Sequence, residues 1–240
     1  MSKASAVALA TGSVLAGSVL ASAAWAVRGR SSSVFGPSAW RGNSAGKAIA
    51  LTFDDGPSPS TPRFLDILAE YRAPATFFQV GANVLRHPEI SRAVLAAGHE
   101  IGNHSHTHLN FALEPAALIA DEFSRAQDAI GEVTGAQPVL MRAPYGVRWF
   151  GFRPMQRKLG LTGVMWSVIG RDWRLPAAEI ADRVLSRVSE GGIICLHDGR
   201  GTHENPEVAP ALEAVRRIIP ALIGAGYHFE TVSQLLCHQT

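Results

Sequence analysis

From Ala48 onward, short runs of apolar residues alternate with longer stretches whose apolar positions recur every three or four residues. Unbroken short runs are what strands buried on both faces produce, and the longer periodic stretches predict amphipathic helices. Strands are expected at 48–53, 75–80, 99–103, 138–143, 161–168, 192–197 and 227–231. Helices are expected at 61–72, 88–97, 114–134, 152–159, 176–189 and 207–224, with Gly98, Gly135 and Gly226 placed where a helix stops. Strand and helix alternate without a repeat and without a break after residue 46. That order means a parallel sheet with helices outside it, either open or closed into a barrel.

The polar clusters follow the carboxyl ends of the expected strands: Asp54-Asp55, His104, Arg142, Asp172 and His197. In a closed α/β barrel that rim is where active sites are built. The first cluster organises the rest. The run Ala48–Phe53 drives into two adjacent carboxylates and ends at Gly56-Pro57. In a regular strand Asp54 and Asp55 would point to opposite faces, so both serve one site only if the strand stops there. Alone, such a pair reads as a surface turn with two solvated acids. Further along, His104-Ser105-His106-Thr107-His108 places three imidazoles in five residues. On a helical turn His104 and His108 share a face, and His106 points elsewhere. With Asp55 they make a set of two imidazoles and one carboxylate that suits catalytic zinc or another late first-row divalent ion. Arg142 is a candidate to pair with Asp54 and hold it ionised, and His197 is a candidate general acid. Taken singly, Arg142 reads as a surface ion pair and His197 as a hydrogen-bonded loop histidine.

Composition narrows the class. Of 240 residues, 47% are apolar and 18% charged, as expected for a globular protein with a sizeable core. A formal charge of +2 with scattered basic residues argues against a nucleic-acid partner. Two cysteines make no disulfide framework, and Cys195, inside an apolar run, reads as a buried thiol. Residues 1–27 stand apart. Ala4 to Val27 carries no charge, and Ala21-Ser22-Ala23 or Ala24-Trp25-Ala26 offers a small-x-small cleavage site. The segment is expected to be a signal peptide or a membrane anchor, so the protein is expected to be exported or tethered. Arg28 and Arg30 outnumber Lys3 and point the other way. Residues 28–46 read as a linker, and residues 47–240 as the catalytic domain.

In order, T-F-D-D-G-P, H-S-x-x-H, R-x-P-Y, a late Asp-Trp and L-H-D resemble the polysaccharide deacetylases of carbohydrate esterase family 4, the NodB-homology domain. The similarity runs from about Ala48 to the C-terminus. It implies a distorted barrel of seven or eight β/α units. It also implies a divalent ion, usually zinc with cobalt as an alternative, and removal of acetyl groups from N-acetylglucosamine polymers or acetylated xylan. Carried over by motif, Asp54 matches the general base, and Asp55, His104 and His108 match the metal ligands. Arg142 matches the residue that orients the base, and the Tyr145 N–H an oxyanion donor. His197 matches the general acid, Asp172 its partner, and Trp173 a wall of the substrate groove. Two positions depart from the pattern. Ile169 stands where the fourth motif opens with Asp, and Cys195 where a leucine lines the acetyl pocket; by strand alternation Cys195 shares a face with His197. The competing readings are a small-amide hydrolase on the same fold and a carbohydrate-binding relative without turnover.

Overall fold

The computed structural model describes residues 18–42 and 46–237. Among these, residues 18–28 are helical (α1), and nine strands build one sheet. The strands are β1 (Ser38–Ala39), β2 (Ala48–Asp54), β3 (Thr76–Gln79), β4 (Glu100–Asn103), β5 (Leu140–Met141), β6 (Thr162–Val164), β7 (Val168–Ile169), β8 (Ile193–His197) and β9 (His228–Glu230). Their spatial order is β1-β6-β5-β4-β3-β2-β8-β7, with β9 against the start of β2, and every ladder is parallel. Among the described residues no ladder joins β7 to β1, so the sheet is a barrel left incomplete on that side. This is the distorted barrel the resemblance implies.

Strand β2 is central because every one of its residues is buried. A strand covered on both faces has no polar side to show, which is why it reads as a continuous apolar run. The helices α2 (Thr61–Tyr71), α3 (Gly81–Arg86), α4 (Pro88–Ala96), α5 (Ala116–Thr134), α6 (Phe152–Leu159), α7 (Ala177–Leu185), α8 (Ala209–Gly224) and α9 (Val232–Cys237) pack around the sheet. On α2, Phe64, Ile67 and Leu68 face inward at helical spacing, and the Phe64 ring meets Phe53 at 5.1 Å between centroids. Phe53 in turn stacks on Phe77 at 5.0 Å. Burying each such side chain contributes about 1.5–3 kcal/mol.

Three expectations need correction, and one helix was not expected at all. The strand expected at 161–168 is two strands, β6 and β7, because the carbonyls of Val164 and Met165 leave the ladder to accept from the Arg142 guanidinium. Only Leu140–Met141 of the expected 138–143 strand is paired in a ladder, and prolines at 138 and 144 bound it without an N–H to donate. Helix α3 has six residues, too few for periodicity to show. The expected linker belongs to the domain as far as residue 42: β1 joins the sheet, and Arg41 bridges to Gly192. The buried Arg148 guanidinium donates to the Ser32 carbonyl at 2.6 Å and to that of Gly29, and burial pulls its pKa down. Residues 1–17 of the expected leader, and 43–45, lie outside the described residues. Among the described residues no helix is long and apolar enough to cross a membrane.

Candidate active site

The carboxyl ends of β2, β4, β5, β7 and β8 converge on a cavity of about 600 Å³ lined by Asp54, Asp55, His104, His108, Tyr145, Ile169, Trp173, Cys195 and His197, among others. Arg142 and Asp172 are buried behind these side chains. Asp54 is the last residue of β2, in register with His197 on β8. Asp55 takes a left-handed backbone (φ 75°), which breaks strand alternation and lets both carboxylates line the same cavity.

Asp55 Oδ1 lies 2.9 Å from His108 Nε2 and 3.3 Å from His104 Nε2. The two histidines do not sit on a helical turn, as their spacing suggested. They flank an irregular loop with positive φ at Ser105 and His108. Buried acceptors hold that loop. Glu122 on α5 accepts the N–H groups of His106 (3.0 Å) and Thr107 (2.8 Å), Asn103 Oδ1 accepts Ser105 N–H, and Ser105 Oγ accepts His108 N–H. His106 is buried and outside the cavity lining.

The donor set fits a cation. His104 Nδ1 is 2.8 Å from the Arg142 carbonyl oxygen, which can only accept, so Nδ1 carries the proton and Nε2 presents a lone pair. That lone pair and the His108 ring nitrogen converge on Asp55 Oδ1, a buried oxygen without a hydrogen-bond donor. Asp54, Cys195 and His197 also lie close together, yet they make a poor metal site. Burial first, then the Asp54 charge, pushes the Cys195 thiol well above its ordinary pKa, so it stays protonated and points to Asp54 Oδ2 at 3.5 Å.

Two charge pairs flank the cluster. Arg142, fully buried, donates to Asp54 Oδ1 at 2.6 Å and to Thr52 Oγ1 at 2.8 Å, and lies 4.1 Å above the Phe78 ring. Asp172 accepts from the His197 N–H and faces His197 Nδ1, both at 2.9 Å. Burial lowers the His197 pKa, but the Asp172 charge and hydrogen bond reverse this and carry it to about 9. Trp173 meets His197 edge-on at 5.3 Å and is half exposed at the cavity mouth. Tyr145 has φ 57°, its ring is 4.7 Å from that of His108, and among the described residues its N–H donates no hydrogen bond.

The sequence reading left out several residues of this region. Arg28, Trp166 and Arg200 line the cavity, and Asn83 ties the Asp55 carbonyl to that of Gly201. Asp198 is buried beneath it, accepts the Thr61 hydroxyl at 2.5 Å, and has its carboxyl raised to about 7, chiefly by burial. Gly56 and Gly199 let the two aspartate-bearing loops nest, because a Cβ at either would collide with Asp198 or with the Asp55 backbone. Only Asp198 carried a signal, as the last residue of the L-H-D motif.

A family model described as polysaccharide deacetylase matches residues 41–164. A chitooligosaccharide deacetylase of Bradyrhizobium sp. is 38% identical over 79% of this chain and 90% of its own length. In fold, the Bc1960 peptidoglycan N-acetylglucosamine deacetylase superposes with a TM-score of 0.77 at 28% identity, covering 82% of this chain and 92% of that one. A pseudoenzyme of carbohydrate esterase family 4 from Bacillus anthracis superposes nearly as well, at 0.74 and 25% identity over 82% of this chain and 67% of its own. The fold thus hosts both active and inactive members, and the side chains at the site have to separate them. By motif order, sequence match and fold, the chain belongs to the polysaccharide deacetylases of carbohydrate esterase family 4.

Proposed function

We propose that the protein is a metal-dependent hydrolase that removes acetyl groups from N-acetylglucosamine residues of a peptidoglycan- or chitin-like glycan. The observation that carries this reading is the pairing around one cavity: Asp54 held by Arg142, and His197 held by Asp172, on either side of Asp55, His104 and His108. Asp55, His104 and His108 would hold the ion, zinc by their ligand chemistry with cobalt as a substitute. When bound, the ion supplies Lewis-acid polarisation of the acetyl carbonyl and acidifies water beside it.

The remaining chemistry belongs to side chains. Asp54, held in place by Arg142, takes the proton of the attacking water as the water oxygen bonds to the acetyl carbon. The Tyr145 N–H, free of other partners, donates to the developing oxyanion. The C–N bond then breaks, and His197, charged through Asp172, gives its proton to the leaving amine. The half-exposed Trp173 and Tyr145 at the mouth suit a sugar face better than a compact amide. We further infer that this work is done outside the cytoplasm, with residues 1–27 as leader or anchor. Recovery of the intact N-terminus on a cytoplasmic protein would reject that.

Acetate release from N-acetylglucosamine oligomers tests the reading. Release is expected from the metal-loaded enzyme, to stop with a strong chelator, and to return on adding Zn²⁺ or Co²⁺. Full activity in rigorously metal-free protein would sink the mechanism.

Cys195 lines the same cavity where the family pattern has leucine. Cysteine is smaller, so the acyl pocket has room for about one more methylene. Such a difference in an apolar pocket is worth about 1–3 kcal/mol, or about 10–200-fold in discrimination. Cys195→Leu is expected to sharpen preference for acetyl over propionyl substrates in kcat/KM while metal content holds. An unchanged ratio would make Cys195 an ordinary core thiol.

A further inference from the structure

We propose that Arg28 forms an anion subsite at the mouth of the cavity and turns the enzyme toward glycans that carry a carboxylate on the sugar beside the acetylated one. The proposal rests on the deacetylase reading and deepens it by naming a substrate class. Arg28 closes the described part of α1 and precedes residues 41–164, so the shared family chemistry does not assign it. It reaches the cavity because the segment after α1 is sewn onto the domain by Arg148 and by β1.

The acids that line or back the cavity beside the reacting groups are already taken. Asp54 has Arg142 at 2.6 Å, Asp55 sits with His104 and His108, with which it would hold the ion, and Asp172 has His197 at 2.9 Å and Arg200 at 3.7 Å. Arg28 has no carboxylate partner among the described residues; its one hydrogen bond runs from Nη2 to the Tyr145 carbonyl at 3.2 Å. The unbalanced fixed charge at the mouth is therefore positive. A guanidinium offers five N–H donors in a rigid fork that matches a carboxylate, and here most of the fork remains for a ligand. The Tyr145 residue that Arg28 grips is the one whose N–H is proposed to meet the acetyl oxygen. An anion held by Arg28 then lies on a neighbouring sugar. A neutral chitin-like chain gives Arg28 nothing but water to pair with.

The test uses the full-length, metal-loaded protein and three matched oligosaccharides. One is a neutral N-acetylglucosamine oligomer, one alternates N-acetylglucosamine with N-acetylmuramic acid, and the third is that alternating chain with its carboxyl methylated. A glucuronate-alternating oligomer added to the panel separates a lactyl carboxylate from a ring carboxylate. Binding by calorimetry and kcat/KM are both read for wild type, Arg28→Gln and Arg28→Lys. The wild type is expected to favour the free carboxylate over its methyl ester by about 3- to 10-fold, the range for a partly exposed charge pair with good geometry. Raising the salt concentration should shrink that preference. Arg28→Gln should bring the ratio to about one, and Arg28→Lys should keep most of it. Loosening the Tyr145 carbonyl lowers all rates together, so the ratio decides. If Arg28→Gln leaves the ratio unchanged, or the wild type shows no preference, Arg28 is only a brace for Tyr145 and the proposal falls. If the binding preference depends on Arg28 as stated but no acetate is released from any chain, the subsite stands and the deacetylase reading fails.

Discussion

Asp54→Asn is expected to lose about 10²–10⁴ in kcat, the range for a positioned acid–base group, while it binds metal as the wild type does. His108→Ala is expected to lose metal and activity together. The difference follows from where the two aspartates sit. Asp55 Oδ1 is 2.9 Å and 3.3 Å from the two histidine nitrogens, whereas Asp54 Oδ2 is 4.0 Å from His104 Nε2 and its other oxygen is taken by Arg142. Asparagine keeps the shape and can still accept from Arg142, but it cannot take a proton from water. It also leaves the fully buried Arg142 without its counter-charge, and breaking a buried pair costs about 3–5 kcal/mol when one partner is simply removed. Asparagine retains an acceptor, so a smaller fall in thermal stability is expected. Metal content, kcat and the melting temperature measured on the same preparations separate these effects. If Asp54→Asn lost metal as completely as His108→Ala, the roles of the two aspartates would be reversed.

What could be read in advance follows from which forces are local. Strands β2 and β8 are buried, and the apolar runs that satisfy that burial were plain in the sequence. The long α5 carries its buried face at helical spacing and ends at Gly135 with φ 74°, so its limits could be seen too. The failures are places where a distant side chain decides the backbone. The break between β6 and β7 exists because Arg142, far away in sequence, takes the carbonyls of Val164 and Met165. The order in residues 29–33 comes from Arg148 and Arg153, whose guanidinium groups bind carbonyls there. Neither leaves any periodicity behind.

The site shows the same division. Strand ends and motif spacing brought Asp54, Asp55, His104, Arg142, Asp172 and His197 to one rim. His104 and His108 do meet Asp55, but across a loop shaped by left-handed residues and the Glu122 carboxylate and not on the helical turn their spacing suggested. Arg28 was invisible because its place in the cavity depends on how the whole N-terminal segment is laid down. Side chains placed by tertiary contacts alone are the ones for which one sequence offers no handle.

The second large effect is expected at His197. His197→Ala should cost about 10²–10⁴ in kcat on an amide, whose leaving nitrogen needs a proton, and much less on an aryl acetate, whose leaving group departs unaided. A general acid works only below its own pKa, so activity on the amide should fall as pH rises through the His197 value. Burial pulls that value down, and Asp172 at 2.9 Å pulls it up to about 9, with smaller upward pushes from Asp55 and Asp54. An ion held by Asp55 cancels the share of that residue and leaves that of Asp172, so the alkaline limb should lie at or somewhat below about 9. Asp172→Asn removes the main upward push and leaves the burial that opposes it. Its limb must therefore move to lower pH, and the loss of activity should be largest in alkaline buffer and smallest in acid. A merely structural Asp172 would lower activity equally at every pH. Profiles of kcat/KM against pH for the wild type and Asp172→Asn, on the amide and on the aryl ester, settle it: a limb that stays in place removes Asp172 as the group that keeps His197 charged.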